Sequence, residues 1–138
     1  MADTKKPFTI TALILLLLLA ITAIFGGGAL IIDPSGNLIG MPVSLLEHSP
    51  FTSFLIPGLI LFLFNGVSSV AIAVLVMRKC RFYTELVMVQ GIIQDVWIIV
   101  QLLLIRSIHF LHFIYFTVGT LLIITGAVLR KKTKHPAK

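Results

Sequence analysis

Four long runs of apolar residues divide the chain and limit what it can fold into. Each run reaches the roughly 20 residues that a helix needs to cross a hydrocarbon core of about 30 Å. The runs occupy residues 8–31, 54–77, 82–105 and 108–129. Apolar residues make up 58% of the chain, and the mean hydropathy of +1.09 is well above that of a soluble domain. The sequence therefore predicts an all-α integral membrane protein, a four-helix antiparallel bundle with a single transmembrane domain over residues 1–138.

The basic residues concentrate at one end of this predicted bundle. Ten of the eleven Lys and Arg residues precede the first helix, lie between the second and third, or follow the fourth. The loop at 33–52 has none, and the hairpin between the third and fourth helices has only Arg106. Because positively charged segments stay in the cytoplasm, we predict a plasma or inner membrane protein with cytoplasmic N- and C-termini. The net charge of +6 is thereby explained without a nucleic-acid partner.

Two features near the predicted cytoplasmic surface receive structural interpretations. Lys5 and Lys6 precede an apolar run, as in a signal peptide, but the run at 8–31 is too long and lacks a clear cleavage site. We therefore expect an uncleaved helix. The single cysteine, Cys80, excludes an internal disulfide and the thiol-oxidase and tetraspanin-like classes, which need cysteine pairs.

The connection between the first two helices has the composition of an ordered loop. Asp, Pro, Ser and Gly at 33–36 suit a tight turn. Residues 42–48 can form one or two helical turns, with Pro42 at the first position and with Leu45 and Leu46 directed into the membrane interface. We predict a structured outer loop that lies as a lid over the external end of the bundle.

Glycine and proline indicate where the first two helices pack closely or bend. The three consecutive glycines at 26–28 permit close backbone approach or a local bend, which indicates contact with a neighbouring helix or with the loop. Pro57 and Gly58 favour a kink in the outer third of the second helix. Small and mildly polar residues share one face of that helix and predict close packing. They are Gly58, Leu61, Asn65, Ser68, Ser69 and Ile72.

The third helix is exceptional because polar side chains recur along its whole length. They form a stripe of Tyr83, Gln90, Gln94, Trp97 and Gln101. Asp95 lies about 100° from Gln94, near the depth midpoint. An ionisable residue in hydrocarbon needs a partner, water or a proton, which makes it a functional candidate. The hypotheses for Asp95 are a proton carrier, an ion ligand, the anchor of a polar ligand, or a protonated or hydrogen-bonded structural aspartate.

A tight hairpin fixes which residues of the third and fourth helices lie at equal depth, namely those whose numbers sum to about 213. Gln101 is then level with His112, and Asp95 with residues 118–120. We predict a polar layer at mid-depth, made of Asn65, Ser68, Ser69, Gln94, Asp95 and Thr120. A second cluster in the outer third comprises Trp97, Gln101, His109 and His112. The two layers can form one vestibule.

Motifs for established chemistry are missing from the sequence. His109 and His112 supply only two metal ligands, and no further Cys or His pattern completes a site. They lie on one helix and so cannot bind opposite sides of one haem. There is no nucleophile elbow and no phosphate-binding loop. We therefore predict no metal and no cofactor, and a catalytic role is not favoured.

Three short sequence elements, taken together, resemble those of a known protein family. They are Asp-Pro-x-Gly within GGGALIIDPSGNLIGMPVSLLEHSPF, Pro-Gly-x-x-Leu within IPGLILFLFNG, and Trp-x-x-x-Gln within VWIIVQLLLIRSIHFLHFIYFTVG. Over residues 26–119 the chain resembles a family of uncharacterised small bacterial membrane proteins with four transmembrane helices. This resemblance implies a prokaryotic plasma-membrane protein and implies no activity.

Three classes of function remain. The favoured hypothesis is a lipophilic-ligand-binding or accessory protein with an outward-facing vestibule, whose partners are the lipid bilayer, a lipid or other amphiphilic molecule, and a second copy or a partner membrane protein. The alternatives are a dimeric proton- or ion-linked transporter that uses Asp95, and a membrane-embedded enzyme acting on a lipophilic substrate. The candidate ligand-binding residues are Asn65, Gln94, Asp95, Trp97, Gln101, His109 and His112.

Overall fold

Four helices dominate the computed structural model, which describes residues 5–40, 43–46, 49–105 and 110–134. They are α1 (Lys6–Ile32), α2 (Leu55–Met77), α3 (Tyr83–Ile105) and α4 (Phe110–Lys134). All four are long and apolar enough to cross a membrane, which confirms the predicted all-α multi-pass class. Helix α4 extends beyond the predicted end at 129 because Arg and Lys are good helix formers whose long stems remain compatible with the membrane surface.

The helices form a closed ring in which each contacts its neighbours in the chain and α1 also contacts α4. The side-chain amine of Lys132, near the end of α4, lies 5.5 Å from the ring centroid of Phe8, near the start of α1. Arg130 forms an ion pair with Glu85 in the first turn of α3. Both described chain ends therefore lie at one end of the bundle, called here the terminal end. The opposite end, which bears the connection between α1 and α2, is the loop end.

The apolar core occupies the terminal half of the bundle, with contributions from all four helices. Its buried members are Ala12, Leu16, Leu19, Ile72, Ala73, Val76, Tyr83, Val87, Val118, Leu122 and Leu129. Large apolar side chains also cover the outside, as with Phe25 at 75% and Leu103 at 70% exposed. A surface of this kind suits contact with lipid chains rather than water.

Helices α1 and α2 cross near the loop end, and their backbones touch at the crossing. A Cβ atom added to Gly27 would lie 2.7 Å from the backbone nitrogen of Phe62 and 2.8 Å from the carbonyl oxygen of Gly58. The same atom on Gly28 would meet nothing nearer than 3.9 Å. The close approach predicted for residues 26–28 is thus confirmed, and it depends on Gly27.

Helices α3 and α4 cross in the same way over a longer stretch. A Cβ atom on Gly91 would lie 2.8 Å from the backbone nitrogen of Ile123, and one on Gly126 would lie 2.9 Å from that of Met88. Gly119 packs against Asp95 on the same line of contact. Glycine therefore sets the distance between the helices at three levels.

Helix α2 departs from α-helical geometry in its middle rather than at its proline. Pro57 is the third residue of the helix, where an amide hydrogen would have no partner within the helix, so no hydrogen bond is lost. The segment Leu61–Val67 is instead a π-helix, and Ser68 donates its amide hydrogen to the carbonyl of Leu63, five residues earlier. The irregularity predicted at Pro57 and Gly58 is found one turn further along the chain.

The connection between α1 and α2 packs against the loop end. Gly36 adopts a φ of 81° and donates its amide hydrogen to Asp33 O at 3.0 Å, as the turn prediction requires. Short 3₁₀ turns follow at Asn37–Ile39 and Val43–Leu46, and the second of these contacts α3. Leu46 is 4% exposed and packs with Leu30 and Phe54. This confirms a structured loop over the bundle end, while Pro42 and His48 lie outside the described residues.

Candidate functional site

Gln90 connects α3 to α2 in the middle of the bundle. It is fully buried. Its amide nitrogen donates to Phe64 O at 3.1 Å, and its amide oxygen accepts from the Ser68 hydroxyl at 2.9 Å. Both ends of the carboxamide therefore have partners on the neighbouring helix. Such interhelical bonds contribute up to about 1 kcal/mol each in membrane proteins.

The π-helix explains why a backbone carbonyl is open to Gln90. Ser68 donates its amide hydrogen to Leu63 O, so it does not donate to Phe64 O four residues earlier, as it would in an α-helix. The Phe64 oxygen accepts a side-chain hydrogen bond from the Gln90 amide nitrogen instead. The irregular segment thus creates the acceptor that binds α3.

Asp95 faces α4 rather than the α2–α3 interface. The hydroxyl of Thr120 donates to Asp95 Oδ2 at 2.9 Å. This pairing confirms the predicted depth match between Asp95 and residues 118–120. The other carboxylate oxygen, Oδ1, lies against Gly119, is buried, and has no hydrogen-bond partner among the described residues. One oxygen of the carboxylate thus remains available to a donor or a proton.

Three further buried side chains have unpaired polar atoms. Asn65 is 1% exposed, and neither its amide nitrogen nor its oxygen has a hydrogen-bond partner in the part of the chain that the structure describes. The hydroxyl of Ser69 and the indole nitrogen of Trp97 likewise have no hydrogen-bond partner among the described residues. A buried polar group without a partner costs about 1–3 kcal/mol, so unpaired groups at this density require a physical reason.

Two of the unpaired groups lie close together along α2. Asn65 and Ser69 lie one turn apart on α2, within and just after the π-helix. Since Gln90 pairs with Phe64 and Ser68, the next turn of α3, at Gln94, lies level with Asn65 in this antiparallel pair. Gln94 is itself 3% exposed. Asn65 and Gln94 thus form the centre of a polar level above the apolar core.

The structure divides the single mid-depth layer that the sequence predicted. Ser68 pairs with Gln90 between α2 and α3, whereas Thr120 pairs with Asp95 between α3 and α4. Gln90 was expected on the polar stripe but not as the partner of α2. The short turn between α2 and α3 is the signal that could have identified it, because that turn brings Ser68 and Gln90 to one level.

The predicted outer cluster is described only in part. Trp97 is 9% exposed, Gln101 and His112 are half-buried, and His109 lies outside the described residues. Among the described residues, no group of three His, Cys, Asp or Glu side chains is arranged to hold a metal ion.

Helix count, helix length and the buried polar level define a small multi-pass membrane protein built as a four-helix bundle. No protein-family model, curated protein or solved structure matches the chain.

Proposed function

We propose that this protein binds an amphiphilic molecule, a lipid or quinone-like compound, whose polar group enters the bundle at the level of Asn65. The observation that carries the proposal is the unpaired carboxamide of Asn65, which is 1% exposed. A carboxamide offers both a donor and an acceptor. A ligand carbonyl or hydroxyl that pairs with it would remove the cost of burying it.

The other unpaired buried groups support this class of ligand. The Ser69 hydroxyl can donate or accept, and the Trp97 indole nitrogen can only donate. The unpaired atoms of these three residues are all uncharged, and the carboxylate of Asp95 faces α4, so a neutral head group is favoured over an ionic one. The apolar outer surface suits the acyl or isoprenoid chain of such a molecule.

Native mass spectrometry of the protein extracted in a mild detergent tests the proposal. The parent protein should carry an adduct of defined mass, and Asn65→Leu should lose it. The matched control is Thr117→Val, because the Thr117 hydroxyl is exposed and donates to a carbonyl of its own helix, that of Phe113. The control should retain the adduct. The same spectrum reports whether the protein is a homodimer.

A second variant keeps the test valid if Asn65→Leu does not fold. Trp97→Phe preserves an aromatic ring and removes the indole N–H, and it should weaken adduct retention. An adduct that survives both substitutions would contradict the proposal, as would a parent protein that carries only heterogeneous lipid.

Proton-linked transport is the second candidate, favoured by the single unpaired oxygen of Asp95. In proteoliposomes, Asp95→Asn should abolish a pH-dependent flux of the parent protein. Thr120→Val, which removes the neighbouring hydroxyl, should alter its pH profile without abolishing it. A parent protein with no flux would exclude this candidate.

We further propose that the protein resides in a bacterial plasma membrane with its termini in the cytoplasm. The supporting observation is the concentration of basic residues at the terminal end. A membrane-impermeant maleimide applied to intact cells tests the orientation. It should label Ser44→Cys in a Cys80→Ser background, because Ser44 is exposed at the loop end, and it should not label native Cys80. The reverse labelling pattern would invert the topology.

A further inference from the structure

The terminal end of the bundle has a large excess of positive charge. Eight basic side chains are described there, against one acidic side chain, Glu85, among the described residues of that end. The eight are Lys5, Lys6, Arg78, Lys79, Arg81, Arg130, Lys131 and Lys132. Basic residues next to membrane helices serve topology in general. The arrangement of these side chains adds more specific information.

The turn between α2 and α3 holds its basic residues on a fixed backbone. Cys80 donates its amide hydrogen to Leu75 O at 3.1 Å, and Tyr83 donates to Cys80 O at 3.0 Å. Lys79 adopts a left-handed φ of 51° between these bonds. Arg78, Lys79 and Arg81 are all exposed. Their charges are therefore presented by an ordered turn.

Glu85 positions Arg130 without occupying its whole guanidinium group. The contact is from Nε to Glu85 Oε1 at 3.2 Å, and Thr84 donates to the other carboxylate oxygen, Oε2, at 2.9 Å. Arg130 remains 47% exposed, so the outer edge of its guanidinium can reach a second acceptor. Arg81 lies four residues before Glu85, in the turn that leads into α3, and so at the same end of the α3–α4 pair as Arg130.

Aromatic rings hold two of the cations at the depth of the membrane surface. The guanidinium carbon of Arg81 lies 5.1 Å from the ring centroid of Phe82, and the amine of Lys132 lies 5.5 Å from that of Phe8. The ring of Phe82 is 58% exposed. A cation over such a ring is placed where lipid phosphates lie.

We propose that Arg81 and Arg130 form a binding site for the phosphodiester head group of an anionic phospholipid at the α3–α4 edge of the terminal end. Guanidinium groups bind phosphate oxygens through paired N–H donors. The acyl chains of the same lipid would lie along the exposed apolar faces of α3 and α4, which include Val89 and Ile124. This site is separate from the ligand level at Asn65, and neither proposal depends on the other.

Lipid titration monitored by native mass spectrometry tests this site on the full chain. Phosphatidylglycerol and phosphatidylcholine with the same acyl chains are added separately to the detergent-solubilised protein. Phosphatidylglycerol should bind preferentially, and Arg81→Gln with Arg130→Gln should reduce its binding by about tenfold or more, since one hydrogen bond from a guanidinium to a charged phosphate contributes about tenfold.

The matched control removes the same charge elsewhere at the same end. Lys6→Gln with Arg78→Gln, on the α1–α2 side, should reduce binding less than about threefold. Glu85→Gln keeps an oxygen that can accept from Arg130 Nε but removes the negative charge, and it should strengthen phosphatidylglycerol binding. Equal losses in the two double variants would refute a defined site and indicate diffuse attraction. Equal binding of the two lipids, or full competition by soluble glycerol phosphate, would also overturn the proposal.

Discussion

Gly27→Ala is expected to force α1 and α2 apart, because the added methyl group meets backbone on every side. Its Cβ would lie 2.7 Å from Phe62 N, 2.8 Å from Gly58 O and 2.9 Å from Phe62 Cα, whereas ordinary contact begins at 3.4 Å. Backbone atoms cannot rotate away as the end of a side chain can. The helices must therefore separate by about 0.7 Å to restore ordinary contact.

Two opposing effects set the change in the free energy of unfolding caused by Gly27→Ala. Overpacking of this kind costs about 1–3 kcal/mol. Replacing Gly by Ala within a helix gains up to about 1 kcal/mol of intrinsic helix stability. Gly28→Ala shares this gain and meets nothing nearer than 3.9 Å, so it is the matched control on the adjacent residue. We expect Gly27→Ala to be less stable than Gly28→Ala by about 2 kcal/mol.

The assay is reversible unfolding in mixed micelles, with the free energy of unfolding measured for the parent and both variants. Gly26→Ala, whose Cβ would meet Leu61 at an ordinary 3.6 Å, should behave like Gly28→Ala. If Gly27→Ala proved as stable as the other two, the close crossing of α1 and α2 would be wrong.

Two further substitutions test the polar level and the loop. Gln90→Leu keeps most of the side-chain volume but removes the hydrogen bonds to α2, and it should lower the free energy of unfolding by about 1–2 kcal/mol. The control Gln101→Leu, at a half-buried position, should lower the free energy of unfolding by less. Equal effects of the two substitutions would contradict the role given to Gln90. Leu46→Ala should detach the loop from the bundle end, with a cost of about 2 kcal/mol or more. It should also accelerate hydrogen exchange of the Phe54 amide, which bonds Pro34 O at 2.8 Å, and unchanged exchange there would refute the packing described for the loop.

The membrane class and the helix positions could be predicted from the sequence because hydropathy is a local property. A run of 20 apolar residues is unfavourable in water and is long enough to cross a lipid bilayer as a helix. The depth match between α3 and α4 was also predictable, since a fixed rise per residue and a short hairpin determine it. The bond from Thr120 to Asp95 confirms that match.

The pairing of side chains across helices was decided by tertiary structure. Ser68 pairs with Gln90 because the π-helix at Leu61–Val67 alters which carbonyls and faces α2 presents, and no simple periodicity reveals that change. The same geometry leaves Asn65 buried without a partner. Sequence thus determined which residues lie in the membrane and at what depth, whereas the rotation and close approach of the helices decided which polar groups pair, because both depend on contacts between distant residues.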